Sequence, residues 1–514
     1  MGTNRSRTTG RAAAAVVAAF ALAGCSGGGD GGGSGDAGYV RPGPDSAAEE
    51  PFPGPEAHDP GLDPWDPESS EDAVWTGMTD PREDALSTFA LDIDTGSYTR
   101  FRDAATYGGY LDPSEVRTEE FVNYFAQDYP APAEGLGVSI DAMTLPFRPE
   151  HRLVRVGISS APALSAARDA ADLALVVDCS GSMGEYGKME TTKAALRTLV
   201  TSLQPTDRVA MVCYSTDAHV VLEPTPVSER ETILWAIDEL YPQASTNAAA
   251  GLALGYDLAM EMREDGRMTR VVLISDGVAN VGETDPDGIL ERISTEARAG
   301  INLISVGVGI ETYNDQLLEQ LADQGDGWHV YVDTDAEAER VFSTGLTGSL
   351  VVAAADARAQ VEFDPAQVAG YRLLGYENRA VADEDFRNDA IDGGEVFAGH
   401  STTALYEVTL RGGRPDGPFV LATVRYVDEN GHSVERTATL DAVDCADSPR
   451  EASPRLQQDL VIAMLTDRLV EGPWSEYVSD ADLRDEARSM LATVDRDPDV
   501  VQLVSLIDWA TSTY

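Results

Sequence analysis

Oxygen-bearing side chains follow a buried apolar run in the first half of the chain. The run Leu173–Val177 is followed by Asp178, Ser180 and Ser182, in an Asp-x-Ser-x-Ser pattern. Carboxylate and hydroxyl oxygens at the end of a strand can converge on one hard cation, and Mg²⁺ takes six oxygens at short range while keeping some waters. One carboxylate and two hydroxyls leave such a cation underneutralised. The pattern therefore favours a further carboxylate, which a partner protein can supply.

Two later segments add oxygen ligands of the same kind. Thr246 lies between two stretches of helical periodicity, and Asp276 comes directly after a second apolar run. With these additions the sequence resembles the von Willebrand factor A domain, whose metal-ion-dependent adhesion site takes Asp-x-Ser-x-Ser, a threonine and an aspartate in this order. The alternative is that the hydroxyls only cap helices and tighten turns. The resemblance implies a divalent cation, with Mg²⁺ favoured over Mn²⁺ or Ca²⁺, held by Asp178, Ser180, Ser182, Thr246 and Asp276.

The elements around these residues alternate in type. Apolar runs of strand length occupy Leu173–Val177, Val209–Tyr214, Val271–Ile274 and Leu303–Val308. Helical periodicity covers Met189–Leu203, Ser228–Leu240, Ala248–Met262 and Asp287–Ala299. This alternation predicts an α/β fold with a doubly wound, mainly parallel sheet of Rossmann-like type. Ligands of such sheets bind beyond the carboxyl ends of the strands, which is where both aspartates are placed.

The first residues of the chain indicate export. Arginines precede the apolar stretch Ala12–Ala23, which is too short for a stable transmembrane helix. The string ending at Cys25 (Leu-Ala-Gly-Cys) resembles a bacterial lipobox, which implies that residues 1–24 are a signal peptide and that Cys25 carries lipid, including palmitate. Residues 25–80 are rich in Gly, Asp and Pro and predict a disordered tether. We therefore expect a body anchored on the extracytoplasmic face of the cell membrane.

The charge of the chain limits its partners. Lysine and arginine number 37 against 88 acidic residues, which gives a formal net charge of −51. Such a field repels nucleic acid and anionic headgroups, so no nucleic-acid partner is expected. The charge favours a neutral or basic protein partner that presents one exposed Asp or Glu.

The cysteines give a weaker indication. Cys179 and Cys213 lie at the ends of probable neighbouring strands, so a bridge between them is conceivable. Two small buried thiols are the favoured interpretation. The spacing of the cysteines fits no zinc–thiolate motif.

The flanks of the predicted A domain contain five informative strings, which are Ser87–Tyr98, Glu119–Phe125, Gln360–Pro365, Tyr371–Arg379 and Thr403–Glu407. Together these strings resemble the bacterial YfbK-like lipoproteins. The resemblance spans roughly residues 80–510 and implies an A domain between an N-terminal segment and a C-terminal region of unassigned function.

The pattern of the flanks predicts β-structure followed by helices. Alternation over Thr403–Leu410 predicts a half-buried strand, and Asn430-Gly431 between two β-rich runs predicts a hairpin. We expect both flanks to pair into one β-sandwich, with the A domain inserted between them. Ser453-Pro454 and Asp497-Pro498 begin helices whose apolar faces we expect to pack in a core. The predicted regions are 81–168 (N-terminal flank), 169–348 (A domain), 349–445 (β-rich) and 446–514 (helical).

Enzymatic interpretations have less support, and we expect no enzyme. Asp92 and Asp94 suggest a hydrolase, but an aspartic protease needs a second Asp-Thr-Gly, which the chain lacks. Gly187-Lys188 suggests a phosphate loop, but Met189 stands where a Mg²⁺-binding Ser or Thr is required. The favoured function is a metal-dependent adhesion or assembly module. The alternatives are an envelope scaffold that binds through its β-sandwich and helical tail around a structural metal, and a hydrolase using the Asp92/Asp94 pair.

Overall fold

A computed structural model describes residues 77–513 of the chain, apart from short segments of which the longest are 278–285, 310–317 and 377–382. The predicted signal peptide, Cys25 and nearly all of the predicted tether lie outside the described residues, as do Asp92 and Asp94. The strands are β1 (Leu86–Ala90), β2 (Leu136–Leu145), β3 (Arg148–Ser160), β4 (Ala170–Asp178), β5 (Arg208–Tyr214), β6 (Ala218–Pro226), β7 (Arg267–Ser275), β8 (Ile301–Val308), β9 (Trp328–Val332), β10 (Val352–Phe363), β11 (Val368–Leu374), β12 (Gly394–Phe397), β13 (Ser401–Leu410), β14 (Pro418–Val427), β15 (Ser433–Asp441) and β16 (Cys445–Ala446). The helices are α1 (Gly96–Tyr107), α2 (Thr118–Tyr124), α3 (Lys188–Ser202), α4 (Arg230–Asp238), α5 (Ala248–Met262), α6 (Pro286–Arg298), α7 (Asp335–Arg340), α8 (Pro454–Leu469), α9 (Asp480–Leu491) and α10 (Pro498–Thr513).

A six-stranded sheet forms the centre of the predicted A domain, in the order β6-β5-β4-β7-β8-β9. Only the β5–β6 pair is antiparallel, and the other neighbours are parallel. Side chains of β4 alternate between two cores, because Leu173 and Leu175 face the side covered by α3 and α4 while Ala174 and Val176 face α5. The doubly wound prediction is confirmed, and all four predicted strands and four predicted helices of this region are present.

A β-sandwich joins the two flanks of the A domain. One sheet has the order β11-β13-β3-β2-β16, so strands from before and after the A domain lie side by side. The other has the order β1-β10-β14-β15, with β12 also paired to β10. Val156 of β3 lies opposite Ala404 of β13, and both belong to the core between the two sheets. This confirms that both flanks build one sandwich, and β14 and β15 form the predicted hairpin.

The prediction that Thr403–Leu410 is only half-buried was wrong. Glu407 of β13, expected on the solvent face, is 1% exposed. The C-terminal region covers that face, and Trp474 Nε1 donates to Glu407 Oε2 over 2.8 Å. Burial alone would raise the pKa of Glu407, but hydrogen bonds from His151, Arg372 and Trp474 together lower it to about 2. A strand buried on both faces accepts a carboxylate only where such donors surround it.

Helices from both ends of the described chain share one further core. Leu460, Met464 and Leu503 of the C-terminal helices pack with Phe101 of α1 and Phe121 of α2. The predicted caps and core packing of the tail are confirmed, since Ser453 Oγ accepts from Leu456 N over 3.3 Å at the start of α8. Among the described helices, none combines the length and the apolar character needed to cross a membrane.

A buried ion pair joins the N-terminal helices to the last helix of the A-domain region. Glu337 of α7 accepts from Arg102 of α1 over 3.2 Å and from the hydroxyl of Tyr124 of α2 over 2.8 Å. The side chains of Glu337 and Arg102 are 2% and 5% exposed. This contact fixes the N-terminal helices against the A domain.

Candidate metal site

The sheet brings four of the predicted ligands to its carboxyl edge. Asp178 is the last residue of β4, and Asp276 follows the last residue of β7, the neighbouring parallel strand. Ser180 and Ser182 lie in the turn that follows β4 and leads to α3. Parallel neighbours end at the same edge of a sheet, so these positions are close although nearly one hundred residues separate the two aspartates.

A continuous chain of hydrogen bonds links three of these side chains. Ser180 Oγ and Ser182 Oγ are 2.9 Å apart, and Ser182 Oγ donates to Asp276 Oδ1 over 3.0 Å. Asp178 Oδ1 accepts from the backbone N–H of Ser180 over 2.7 Å, which ties the first aspartate to the same turn. Carboxylate and hydroxyl oxygens therefore converge as the sequence predicts.

Asp178 is held in a dry environment. Its residue is fully buried, and its Oδ2 accepts hydrogen bonds from Tyr214 over 3.1 Å and from Ser275 over 2.9 Å. Burial raises the pKa of Asp178, and the nearby charge of Asp276 adds to that rise. Burial also raises the pKa of Tyr214 well above its ordinary value, so this hydroxyl stays a hydrogen-bond donor. Because burial disfavours the ionised form of this carboxylate, a bound cation would strongly stabilise it.

Thr246 lies on the adjoining loop rather than in the hydrogen-bonded cluster. It is half-buried just before α5, and among the described residues no hydrogen bond joins it to the other four predicted ligands. The loop itself is fixed beside the site, because Gln243 N donates to the carbonyl of Cys179 over 2.6 Å. A methyl group on Gly181 would lie 3.2 Å from the carbonyl oxygen of Gln243, which shows how closely the loop and the turn approach.

The donor set fits a hard cation. Oxygen atoms from Asp178, Ser180, Ser182 and Asp276 are present, and no sulfur or imidazole takes part, which suits Mg²⁺ better than zinc. Within the described part of the chain no three His, Cys, Asp or Glu residues are grouped as a metal site would require. Because two of the four ligands converging here are serine hydroxyls, this site is not a cluster of three such residues.

A disulfide bond links the start of the turn after β4 to the neighbouring strand β5. Cys179 and Cys213 are bridged, with their Cα atoms 5.8 Å apart. The expectation of two free buried thiols was wrong, because β4 and β5 are adjacent and parallel, and Cys213 pairs with Val177 two residues before Cys179. The strands could be predicted from the apolar runs, but their register, which brings the two thiols within bonding distance, could not.

Sequence reasoning missed a lysine at the site. Lys188 Nζ lies 3.0 Å from Asp276 Oδ2, and the side chains of both residues are nearly inaccessible, at 2% and 3% exposure. Gly187-Lys188 had suggested only an imperfect phosphate loop. The available signal was a cation at the first position of a helix, in a chain with only one other lysine, Lys193.

Comparisons with known proteins match the A domain and the regions on both sides of it. The von Willebrand factor type A domain model matches residues 172–344, and the model for the C-terminal region of the uncharacterized protein YfbK matches residues 348–500. A further model, named von Willebrand factor, matches residues 67–155. The uncharacterized protein YfbK of Escherichia coli (strain K12) is 34% identical over 360 residues, which cover 68% of this chain and 61% of that protein.

The chain is a YfbK homologue with a von Willebrand factor type A domain. It spans about three-fifths of the YfbK sequence to which it is similar. Inter-alpha-trypsin inhibitor heavy chain H3 of Homo sapiens is 30% identical over 196 residues, covering 34% of this chain and 22% of that protein. A solved von Willebrand factor type A structure from Catenulispora acidiphila covers 74% of this chain and 91% of its own, at 16% identity and a TM-score of 0.43. The domain indicates protein–protein interaction or adhesion.

Proposed function

We propose that this YfbK homologue is a non-enzymatic adhesion or assembly module, in which a divalent cation at the sheet edge binds a carboxylate of a partner protein. Asp178, Ser180 and Ser182 would hold the cation, with Thr246 and Asp276 acting directly or through water. Mg²⁺ is the favoured cation. The observation that carries the proposal is the hydrogen-bonded chain from Ser180 through Ser182 to Asp276, beside a desolvated Asp178.

The surface around the site supports a protein partner. Tyr186 is 75% exposed on the turn that follows the two serines, and Tyr241 is 63% exposed on the loop that carries Thr246. A methyl group on Gly184 would lie 3.4 Å from Pro242, so the two loops are in contact. Tyrosine is enriched among the residues that dominate binding energy at interfaces. The partner would therefore contact these two exposed aromatic side chains while its carboxylate reaches the cation.

Tyr186 adds a conformational argument. Its φ of 48° places a bulky residue in the left-handed region that such residues seldom adopt. Non-glycine residues in this region concentrate at binding and switch segments, where the surrounding structure over-determines them. The phenol of Tyr186 is exposed on the segment that leads from the two serines to α3.

The charge of the whole chain shapes the choice of partner. A net charge of −51 repels an acidic protein at long range. The proposal therefore takes a partner that is neutral or basic overall and offers one exposed Asp or Glu. Long-range attraction would bring such a partner to the surface, and the cation would select its carboxylate.

Location is part of the proposal. The lipobox-like string ending at Cys25 supports a lipid anchor that holds the protein on the extracytoplasmic face of the cell membrane. The Cys179–Cys213 disulfide supports the same location, because disulfides persist in oxidising compartments. Metabolic labelling with a palmitate analogue tests it, with label expected in the wild type and lost in Cys25→Ser.

The scaffold alternative gains no support from the helical tail. The apolar faces of α8 and α10 are occupied by the core that they share with α1 and α2. Deleting residues 446–514 would expose this core rather than remove a separate binding arm. The hydrolase alternative depends on Asp92 and Asp94, which lie outside the described residues.

The decisive experiment is calorimetric titration of Mg²⁺ and Mn²⁺ into the full-length protein and its Asp178→Ala variant. We expect saturable binding in the wild type and none in the variant. Asp217→Ala is the matched control, because Asp217 is an exposed carboxylate at the same edge of the sheet, in the turn after β5. Equal binding by the wild type and Asp178→Ala would overturn the proposal.

A further inference from the structure

We propose that Lys188 makes this metal site selective for a carboxylate ligand, by leaving the bound cation with one uncompensated positive charge. The inference rests on the proposed function. It assigns a role to a residue outside the set of five predicted ligands, and it predicts how the free protein and the partner-bound protein differ in their affinity for the cation.

The position of Lys188 is unfavourable in itself. Lysine is almost never fully buried without a partner. Lys188 is also the first residue of α3, where the N-terminal end of the helix dipole repels a positive charge. Burial and the dipole therefore both act against this ammonium group, and Asp276 is the carboxylate that compensates for them, at 3.0 Å.

The surrounding backbone holds the lysine in place. Gly309, directly after β8, lies against its aliphatic part, and a methyl group on Gly309 would come within 2.5 Å of Lys188 Cε. Gly309 also has a φ of 96°, a conformation that favours glycine. The chain thus leaves room at this point for the lysine side chain, and its ammonium group is directed at the second aspartate of the site.

A charge count shows the consequence. Ionised Asp178 and Asp276 contribute two negative charges, and Lys188 contributes one positive charge. A bound divalent cation then brings the total to plus one, which one partner carboxylate reduces to zero. Without the lysine, the two aspartates alone would neutralise the cation, and nothing would demand a further anion. Uncompensated charge is costly in a buried, low-dielectric site.

Two effects on binding follow. Lys188 weakens the binding of the cation alone, because like charges repel at short range. Lys188 also increases the contribution of a carboxylate ligand to the binding of the cation, because that ligand removes the excess positive charge. The partner and the cation would therefore bind cooperatively, and the protein would hold its cation weakly until a partner arrives.

The test compares full-length wild type, Lys188→Met and Lys188→Arg by calorimetric titration of Mg²⁺, in matched chloride and acetate buffers. Acetate serves as the probe carboxylate. We expect Lys188→Met to bind Mg²⁺ about tenfold more tightly than the wild type in chloride. We also expect acetate to increase the Mg²⁺ affinity of the wild type and of Lys188→Arg, but not that of Lys188→Met.

A second readout remains useful if the methionine variant is less stable. Loss of the lysine leaves Asp276 without its compensating cation, so Lys188→Met should unfold at a lower temperature in chelator. Added Mg²⁺ should then raise its unfolding temperature by more than it raises that of the wild type, because a ligand stabilises the folded state according to its affinity.

The outcomes separate this inference from the proposed function. If the wild type binds Mg²⁺ and Lys188→Met binds it no more tightly, the role of Lys188 is wrong and the metal site stands. If Lys188→Arg behaves like Lys188→Met, charge is not the cause and the inference is also overturned. If no variant binds Mg²⁺ in either buffer, the proposed function itself fails and this inference fails with it.

Discussion

The hydroxyl of Tyr214 donates a hydrogen bond of 3.1 Å to Oδ2 of Asp178. Tyr214 ends β5 and Asp178 ends β4, and the two residues are paired in the parallel ladder. Tyr214 also packs against α5, where a methyl group on Gly251 would lie only 2.7 Å from its Cδ1 atom. The orientation of Asp178, the first predicted metal ligand, therefore depends on a glycine in a helix on one face of the sheet.

Replacing Gly251 with alanine should disturb the proposed metal site indirectly. The added methyl group would displace Tyr214 and its hydrogen bond to Asp178, and we expect about 2 kcal/mol of destabilisation with about a tenfold loss of Mg²⁺ affinity. Gly255→Ala on the same helix is the matched control, since its methyl group would meet Val176 in the core instead, at 2.3 Å. Chemical unfolding and Mg²⁺ titration measure both effects. Equal losses of Mg²⁺ affinity in the two variants would show that Tyr214 has no specific role.

The disulfide should stabilise both the domain and the turn that carries Ser180 and Ser182. Cys179 and Cys213 are separated by 34 positions, and closing a loop of that length is worth about 3–4 kcal/mol by the chain-entropy estimate. The double variant Cys179→Ala/Cys213→Ala should lose about that much unfolding free energy, measured with urea. Cys445→Ala, which removes a thiol that takes no part in this bridge, is the control and should unfold like the wild type. A double variant as stable as the wild type would contradict this expectation.

The buried carboxyl of Asp459 predicts how stability depends on pH. Burial raises its pKa from 3.8 to about 6, although Arg155 acts in the opposite direction. Between these values the folded protein keeps a proton that the unfolded chain has released, so the free energy of unfolding should fall as pH rises from about 4 to about 6. A rise of the pKa of Asp459 from 3.8 to about 6 corresponds to about 3 kcal/mol of unfolding free energy.

Asp459→Asn should flatten this part of the stability profile, measured by urea unfolding across that pH range. The half-buried carboxyl of Asp467, whose pKa burial also raises to about 6, should leave part of the slope in place. Asp485→Asn removes an exposed carboxylate of α9 and should keep the wild-type slope. An unchanged slope in Asp459→Asn would refute the assignment.

The contact between α7 and the N-terminal helices should be strongly stabilising. Glu337→Gln removes the negative charge that contacts the buried guanidinium of Arg102, and we expect a loss of about 3 kcal/mol. Glu339→Gln changes an exposed residue of the same helix and should have little effect. Differential scanning calorimetry of both variants makes the comparison, and similar unfolding temperatures would show that Glu337 contributes little.

The elements of the A domain could be predicted because parallel strands buried on both faces are continuous apolar runs. Leu173–Val177 is such a run, and Asp178 follows it directly. Asp276 likewise follows a second apolar run, so the sequence already places both aspartates at one edge of the sheet. Four of the five predicted ligands lie at that edge, where hydrogen bonds connect the strand ends with the turn after β4. Local pattern and fold topology are sufficient for this much.

What escaped prediction depends on side-chain contacts between distant elements. Glu407 looked like a solvent-facing residue because alternation along one strand cannot reveal that Trp474, 67 positions later, covers it. The partner of Lys188 was equally hidden, since Asp276 lies 88 positions away. The bridge between Cys179 and Cys213 required the register of two strands, which no periodicity encodes.

The pairing of β3 with β13 also has a consequence for the order in which the protein folds during synthesis. His151 and Thr409 are side by side in the sandwich but 258 residues apart in the chain. A ribosome must therefore make the whole A domain before the hairpin β2–β3 meets its partner strand, and closing so long a loop is slow. The six-stranded sheet lies entirely within that interval, so it can form first and bring the two halves of the sandwich together.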